Sequence, residues 1–376
     1  MLNKTARIHS LDSLRAIMMM LGLVLHSTEI YLVGGNDPWP KDVNSTSHFL
    51  GYLENVIHMF RMPIFFVMAG FFASLLYYER GSIKMVKNRI SRIVLPFVVF
   101  LFILAPIVVF SLYYSTALFA GSEDAFGFAI SKFSSIEDLI PISTFHLWFL
   151  YYLILITLLT YLLAKLFQRL TKVSLFIKNV FHNIIKRPIG RVLWFALFIF
   201  VLLVINWDLS GPTPLSFEIN IEALLFYSFF YLLGWMLYKT KDVLESFLKY
   251  DWLLVALAFV IFSTEFLFYD EIDDIVKGVM SAFVISMFIF GITGLFIRYF
   301  SNHSAKMRYV SDASYWVYLI HIPFTIIIPG LIAGWELPGE IKFLITLLVS
   351  TIICFTTYHY LVRSTFIGKF LNGRKY

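Results

Sequence analysis

The chain has 376 residues, 59% of them hydrophobic and only 14% charged, with a mean hydropathy of +0.80. That composition excludes a soluble domain, whose surface needs far more charge, and the net charge of +6 does not imply nucleic acid, because the Lys and Arg lie between long apolar segments. The single cysteine, Cys354, sits inside an apolar run, so neither an intrachain disulfide nor a thiolate pair for a metal is available.

A window of about 19 residues, suited to a helix that crosses a bilayer, predicts ten spans. The first, at 11–33, begins "LDSLRAIMMMLGLVLHSTEIYL" and holds Asp12, Arg15, His26 and Glu29; it is too long for a cleaved signal peptide and lacks a small-residue cleavage site. Eleven residues at about 100° each return to within about 20° of the start, so Arg15 and His26 share a face about 16 Å apart along the axis. Taken alone, Arg15 reads as a side chain snorkelling to the headgroups, with Asp12 neutralising it at i, i+3. His26 reads as a buried neutral imidazole, with Glu29 one turn away as its partner. The second span, at 52–78, carries His58 and Arg61 one turn apart beside a kinking Pro63. Just before the third, at 93–118, "KMVKNRISR" sets Arg89 and Arg92 at i, i+3. The pair is either a topogenic signal or, more sharply, a phosphate site, since two guanidinium groups match phosphate geometry bidentately.

The fourth span, at 144–166, opens "FHLWFL" when read from one residue inside its start, with His146 at the end of the helix. Spans at 192–207, 220–238, 252–268 and 275–297 supply no candidate. The ninth, at 310–333, places His321 near mid-membrane with Ser314 and Tyr318 on the same face, and the tenth runs over 341–362. Of the 30 Lys and Arg, 24 fall on the face that holds both termini, against Lys41, Lys132, Lys277 and Lys342 opposite, with Arg15 and Arg61 inside the membrane. The positive-inside rule then puts both termini in the cytoplasm. The expected fold is all-α, one polytopic membrane domain over 1–376, without internal repeats.

His26, His58, His146, His321 and Arg61 thus come from four helices to the middle and outer depth of the bilayer. An ionisable group left facing lipid costs several kcal/mol, so this convergence marks a functional site. No close-spaced ligand pair points to a metal. A transporter with an intramembrane His/Arg relay competes with an enzyme here, although no repeated half and no matched pair of broken helices supports it.

Four features together resemble acyltransferase family 3, the polytopic membrane O-acyltransferases of extracytoplasmic glycans. They are the basic-X10-His spacing of Arg15 and His26, the Arg-x-x-Arg pair Arg89 and Arg92, "FHLWFL" at 145–150, and "YLIHIP" at 318–323. Glu29 and Asp312 depart from the pattern, being acidic where small or neutral residues are expected, and His321 is followed by Ile rather than a second His. The resemblance implies transfer of a succinyl or acetyl group from cytoplasmic acyl-CoA to hydroxyls of an extracytoplasmic glycan, either osmoregulated periplasmic glucan or another surface polysaccharide. It implies His26 as general base, Arg61 or His58 as oxyanion partner, and Arg89, Arg92 and Arg15 at the CoA phosphates. Glu29, His146 and His321 would be supporting residues. The expected setting is a bacterial inner membrane, with acyl-CoA, the glycan and lipid as partners, no nucleic acid, and no permanently bound cofactor.

Overall fold

Fourteen α-helices, with shorter 3₁₀ and π-helical segments between some of them, make up the regular structure of residues 9–34, 39–206 and 211–373, which are the residues the computed structural model describes. No strand occurs among them. In chain order they are α1 (His9–Thr28), α2 (His48–Arg80), α3 (Ser82–Arg89), α4 (Leu95–Phe119), α5 (Ala125–Ile130), α6 (Trp148–Arg169), α7 (Thr171–Lys186), α8 (Pro188–Asn206), α9 (Ile221–Lys239), α10 (Asp251–Leu267), α11 (Asp274–Tyr299), α12 (Ala305–Leu331), α13 (Gly339–Thr357) and α14 (Phe366–Asn372).

Nine stretches among the described residues are long and apolar enough to cross a membrane, and each coincides with a predicted span. The predicted span at 252–268 corresponds to α10, which bends by 69° from a 3₁₀ segment at Lys241–Leu248 and makes a tenth only if the two count together. Large apolar side chains on the outer faces of α4 and α8, among them Phe102, Ile103, Leu197 and Phe198, are exposed, as lipid-facing residues must be. Of the charges used to orient the chain, Lys4, Arg7, Arg374 and Lys375 lie outside the described residues.

Segments expected to be loops differ most. The stretch at 82–92 is helical: after a break at Gly81, α3 runs through a π-helical turn, Ile90–Val94, straight into α4, so Arg89 and Arg92 stand on a continuous helix. Residues 171–186, too basic for a span, form the amphipathic α7, with Phe176, Val180, Phe181 and Ile184 repeating at helical spacing. The tail expected after 362 folds as α14, whose C-cap Gly373 takes the left-handed conformation at φ +80° and donates to the Lys369 carbonyl.

Two contacts position the site. α1 packs between α2 and α12, which brings its Arg15–His26 face against both. α2 in turn packs against α9 through Gly70 and Gly234, where a Cβ at either position would collide with the carbonyl of Tyr231 or of Val67 across the interface. Small residues let membrane helices approach closely where no hydrophobic drive exists between them. α2 is buried along most of its length, from Met59 to Phe71 without a break.

Candidate active site

α1 is one unbroken helix from His9 to Thr28, so Arg15 and His26 do lie on one face and look to opposite ends of the molecule. The His26 ring stacks on the indole of Trp39, with centroids 5.6 Å apart and planes 19° apart. On its other flank it meets His321 at 5.3 Å between centroids, and the Glu29 carboxylate stands 3.8 Å from His26 Nδ1. Trp39 is held by the segment that follows it. Asp42 N donates to Ile30 O and Ser47 N to Tyr31 O, and the Asp42 carboxylate accepts from Lys342 Nζ at 2.6 Å in an ion pair only 3% and 1% exposed. A buried pair of this kind is costly to break from one side.

Proline in α12 sets the next residue. Pro323 has no N–H, so the carbonyl four residues before it, Leu319 O, lacks its helical donor. His146 Nε2 donates to that carbonyl at 2.9 Å, and Tyr318 Oη returns a bond to His146 O at 2.8 Å. Phe145, immediately before, sits at φ +46°, a left-handed conformation unusual for an aromatic residue, and turns the chain into α6 with His146 pointing inward. His321 Nδ1 faces the carbonyls of Tyr318 and Val317 at 2.8 and 3.0 Å. A carbonyl only accepts, so both imidazoles carry their proton on the bonded nitrogen. His146 Nδ1 and His321 Nε2 are left as bare lone pairs, buried and without a hydrogen-bond partner.

Arg61, 8% exposed, comes in from α2, and its Nη1 is also buried without a partner. Gly22 of α1 makes room for it: a Cβ there would stand 3.1 Å from Nη1. His26, Arg61, His146, Tyr318 and His321 line one chamber of about 30 Å³, room for about one or two waters.

The chamber is the waist between two larger cavities. Past His26, Arg61, His146 and Trp148 it opens into a vestibule of about 740 Å³ that also exposes Glu29, Trp39, Glu54 and His58. Past Met19, Phe65 and Phe149 it meets a basic cavity of about 370 Å³ lined by Arg15, Arg89 and Arg92. Arg15 lies over the Phe72 ring at 5.3 Å and 3.5 Å from Asp12. Arg89 makes one long bond, Nη2 to Ala69 O at 3.4 Å, and its Nε has no partner. Two of the expected site residues have other neighbours. His58 lines the vestibule and not the chamber, with Nε2 3.4 Å from Gly211 O and Nδ1 3.8 Å from Glu54. Arg92 is not a free cation: its Nη1 donates to Lys369 O and Phe370 O at 3.1 and 2.9 Å, capping α14. Ser314, on the same helix as His321 two turns earlier, lines the basic cavity. The sequence reading missed Trp39, Glu54, Gly22 and the Asp42–Lys342 pair; of these only Glu54, at i, i+4 from His58, left a local signal.

The family described as "Acyltransferase domain" matches residues 8–359. Among curated proteins, Glucans biosynthesis protein C of Escherichia coli O81 (strain ED1a) is 26% identical over 355 residues, covering 88% of this chain and 86% of that protein. The proteins of the same name from Escherichia coli strain K12 / DH10B and from O157:H7 (strain EC4115 / EHEC) are 26% and 25% identical with the same coverage. No solved structure matches the chain.

Proposed function

The chain belongs to the acyltransferase-domain family and is an acyltransferase, and from that premise we propose that it carries a succinyl or acetyl group from cytoplasmic acyl-CoA to a glycan hydroxyl on the far side of a bacterial inner membrane. The name of the relatives, Glucans biosynthesis protein C, favours a glucan as that acceptor. The observation that carries the reading is the waist itself. A basic cavity and a vestibule enter from opposite ends and meet at a chamber walled by His26, Arg61, His146 and His321. The charge asymmetry of the loops supports a cytoplasmic side for the basic cavity.

In this reading Arg89 and Arg15 hold the CoA phosphates, with Arg92 joining them when it leaves α14, and the thioester reaches past Met19 and Phe149 into the chamber. The acceptor hydroxyl enters from the vestibule. Neutral His26 takes its proton as the oxygen attacks the thioester carbonyl, the imidazole being the side chain that shifts a proton at working pH. Arg61 Nη1, preorganised and unpartnered, stabilises the oxyanion in a site screened from bulk water. Collapse of the tetrahedral intermediate breaks the carbon–sulfur bond and frees the ester. His58 and Glu54 lie along the acceptor's path and take no part in the chemical step.

Steady-state kinetics of the purified protein with acyl-CoA and a glucan oligosaccharide test this. His26→Gln is expected to keep donor binding and lose roughly 10²- to 10⁴-fold in kcat, the usual range for a positioned acid–base group. Arg61→Met is expected to lose about 10²- to 10³-fold, also in kcat. Near-normal turnover of a folded His26→Gln protein would remove the base from this assignment.

A further inference from the structure

We propose that His321 is the general acid for the departing thiol, closing a proton path that starts on His26; the proposal rests on the acyl-transfer reading above. The reaction has a proton to place. The acceptor oxygen loses one on the vestibule side, and the sulfur of CoA needs one on the side of the basic cavity. His26 and His146 line both the chamber and the vestibule, whereas His321 lines the chamber alone and is 1% exposed. It is therefore the imidazole set back from the acceptor's entrance, and its helix continues directly to Ser314 and Tyr315, which line the basic cavity. Its tautomer is fixed for the task. Nδ1–H is spent on the carbonyls of Tyr318 and Val317, which leaves Nε2 as a lone pair in the chamber with no protein partner. Those two carbonyls also stabilise an imidazolium, because hydrogen bonds to a charged donor strengthen.

The step balances without a co-reactant. The hydroxyl proton passes to His26 as the carbon–oxygen bond forms. It moves from the His26 imidazolium to His321 Nε2, directly or through one bridging water, across rings whose centroids are 5.3 Å apart. As the carbon–sulfur bond breaks, Nε2–H gives the proton to the sulfur, so free thiol leaves and both imidazoles return to neutral. His146, 5.5 Å from His321 between centroids, keeps its Nε2–H on Leu319 O and serves as a neighbour that holds the ring in place.

The test separates a proton donor from a structural histidine. His321→Asn keeps an amide N–H near the position of Nδ1 and removes Nε2, so packing and the carbonyl bonds survive. With ordinary acyl-CoA its kcat should fall by about 10²-fold at unchanged thermal stability and donor KM. With the isosteric selenoester of CoA, whose selenolate is a far weaker base and leaves without a proton, the same variant should recover to within about tenfold of wild type. His26→Gln should be equally impaired with both donors. Full activity of His321→Asn with acyl-CoA, or an equal loss with the two donors, would overturn the role of His321. If instead His26→Gln turns over normally, the fault lies in the acyl-transfer assignment of the base, and the response of His321→Asn to the selenium donor is still read separately.

Discussion

The bare nitrogen of His146 traces to a single residue, a proline. Pro323 strips Leu319 O of its helical donor, His146 fills the vacancy, and the proton this commits to Nε2 leaves Nδ1 facing the chamber. Gly22 acts by omission in the same way, since the guanidinium of Arg61 occupies the space a side chain would take. Gly22→Val is therefore expected to displace Arg61 and cut kcat by about 10-fold or more, with little change in the KM for acyl-CoA. A selective rise in KM would place Arg61 on the substrate instead of the oxyanion. The eleven-residue interval from Arg15 to His26 was legible from the sequence because a helix has one periodicity and α1 is not interrupted. The roles of His146 and His321 were not, because each depends on which carbonyl a ring nitrogen finds: His146 reaches Leu319 O across the packing against α12, while His321 turns back to the Val317 and Tyr318 carbonyls of its own helix.

At the scale of elements, the departures from expectation cluster where polar and apolar residues alternate. Spans were readable because lipid imposes a length and a composition on any helix that crosses it. The helices α3, α7 and α14 escaped because an amphipathic or short helix has the composition of a loop. α14 matters most for the basic cavity, which it lines through Leu371 and Asn372 while tying Asn372 Nδ2 to Asp312 O and occupying Arg92 with two of its carbonyls. Removing residues after Thr365 should release Arg92 and lower the apparent KM for acyl-CoA by about 3- to 10-fold, the scale of one charge-assisted contact. A higher KM in a folded truncated protein would make α14 part of the donor site. The segment from Trp39 to Ser47 makes the same point on the vestibule side. Asp42→Asn leaves the Lys342 ammonium buried without a counter-charge and should cost several kcal/mol, on the order of 3–5, seen as a fall in thermal stability. It should also loosen Trp39 from His26.

For the whole molecule, the polarity of the chain decides which cavity meets which substrate. Reporter fusions at Ser122 should read extracytoplasmic and fusions at the carboxy terminus cytoplasmic, as the 24 basic residues of one face require. A carboxy terminus found outside would exchange the two entrances and with them the roles of donor and acceptor cavity.

On that polarity, the narrowness of the chamber has an electrical consequence. Filled with water, the two cavities would carry the potentials of their own compartments inward, and most of the membrane voltage would fall across the roughly 30 Å³ waist, where moving one charge through 100 mV is worth about 2.3 kcal/mol. If the acceptor's proton were released outside and the thiolate took another from the cytoplasm, each turnover would push one positive charge out against an inside-negative potential. A proton handed from His26 through His321 to sulfur makes transfer of an uncharged acyl group electroneutral, while a carboxylate-bearing acyl group moves negative charge outward with the field. In proteoliposomes under an imposed potassium diffusion potential, acetyl transfer by the wild-type protein should be insensitive to an inside-negative voltage and succinyl transfer should be accelerated by it. A brake on acetyl transfer under the same voltage would show that the proton leaves by the vestibule.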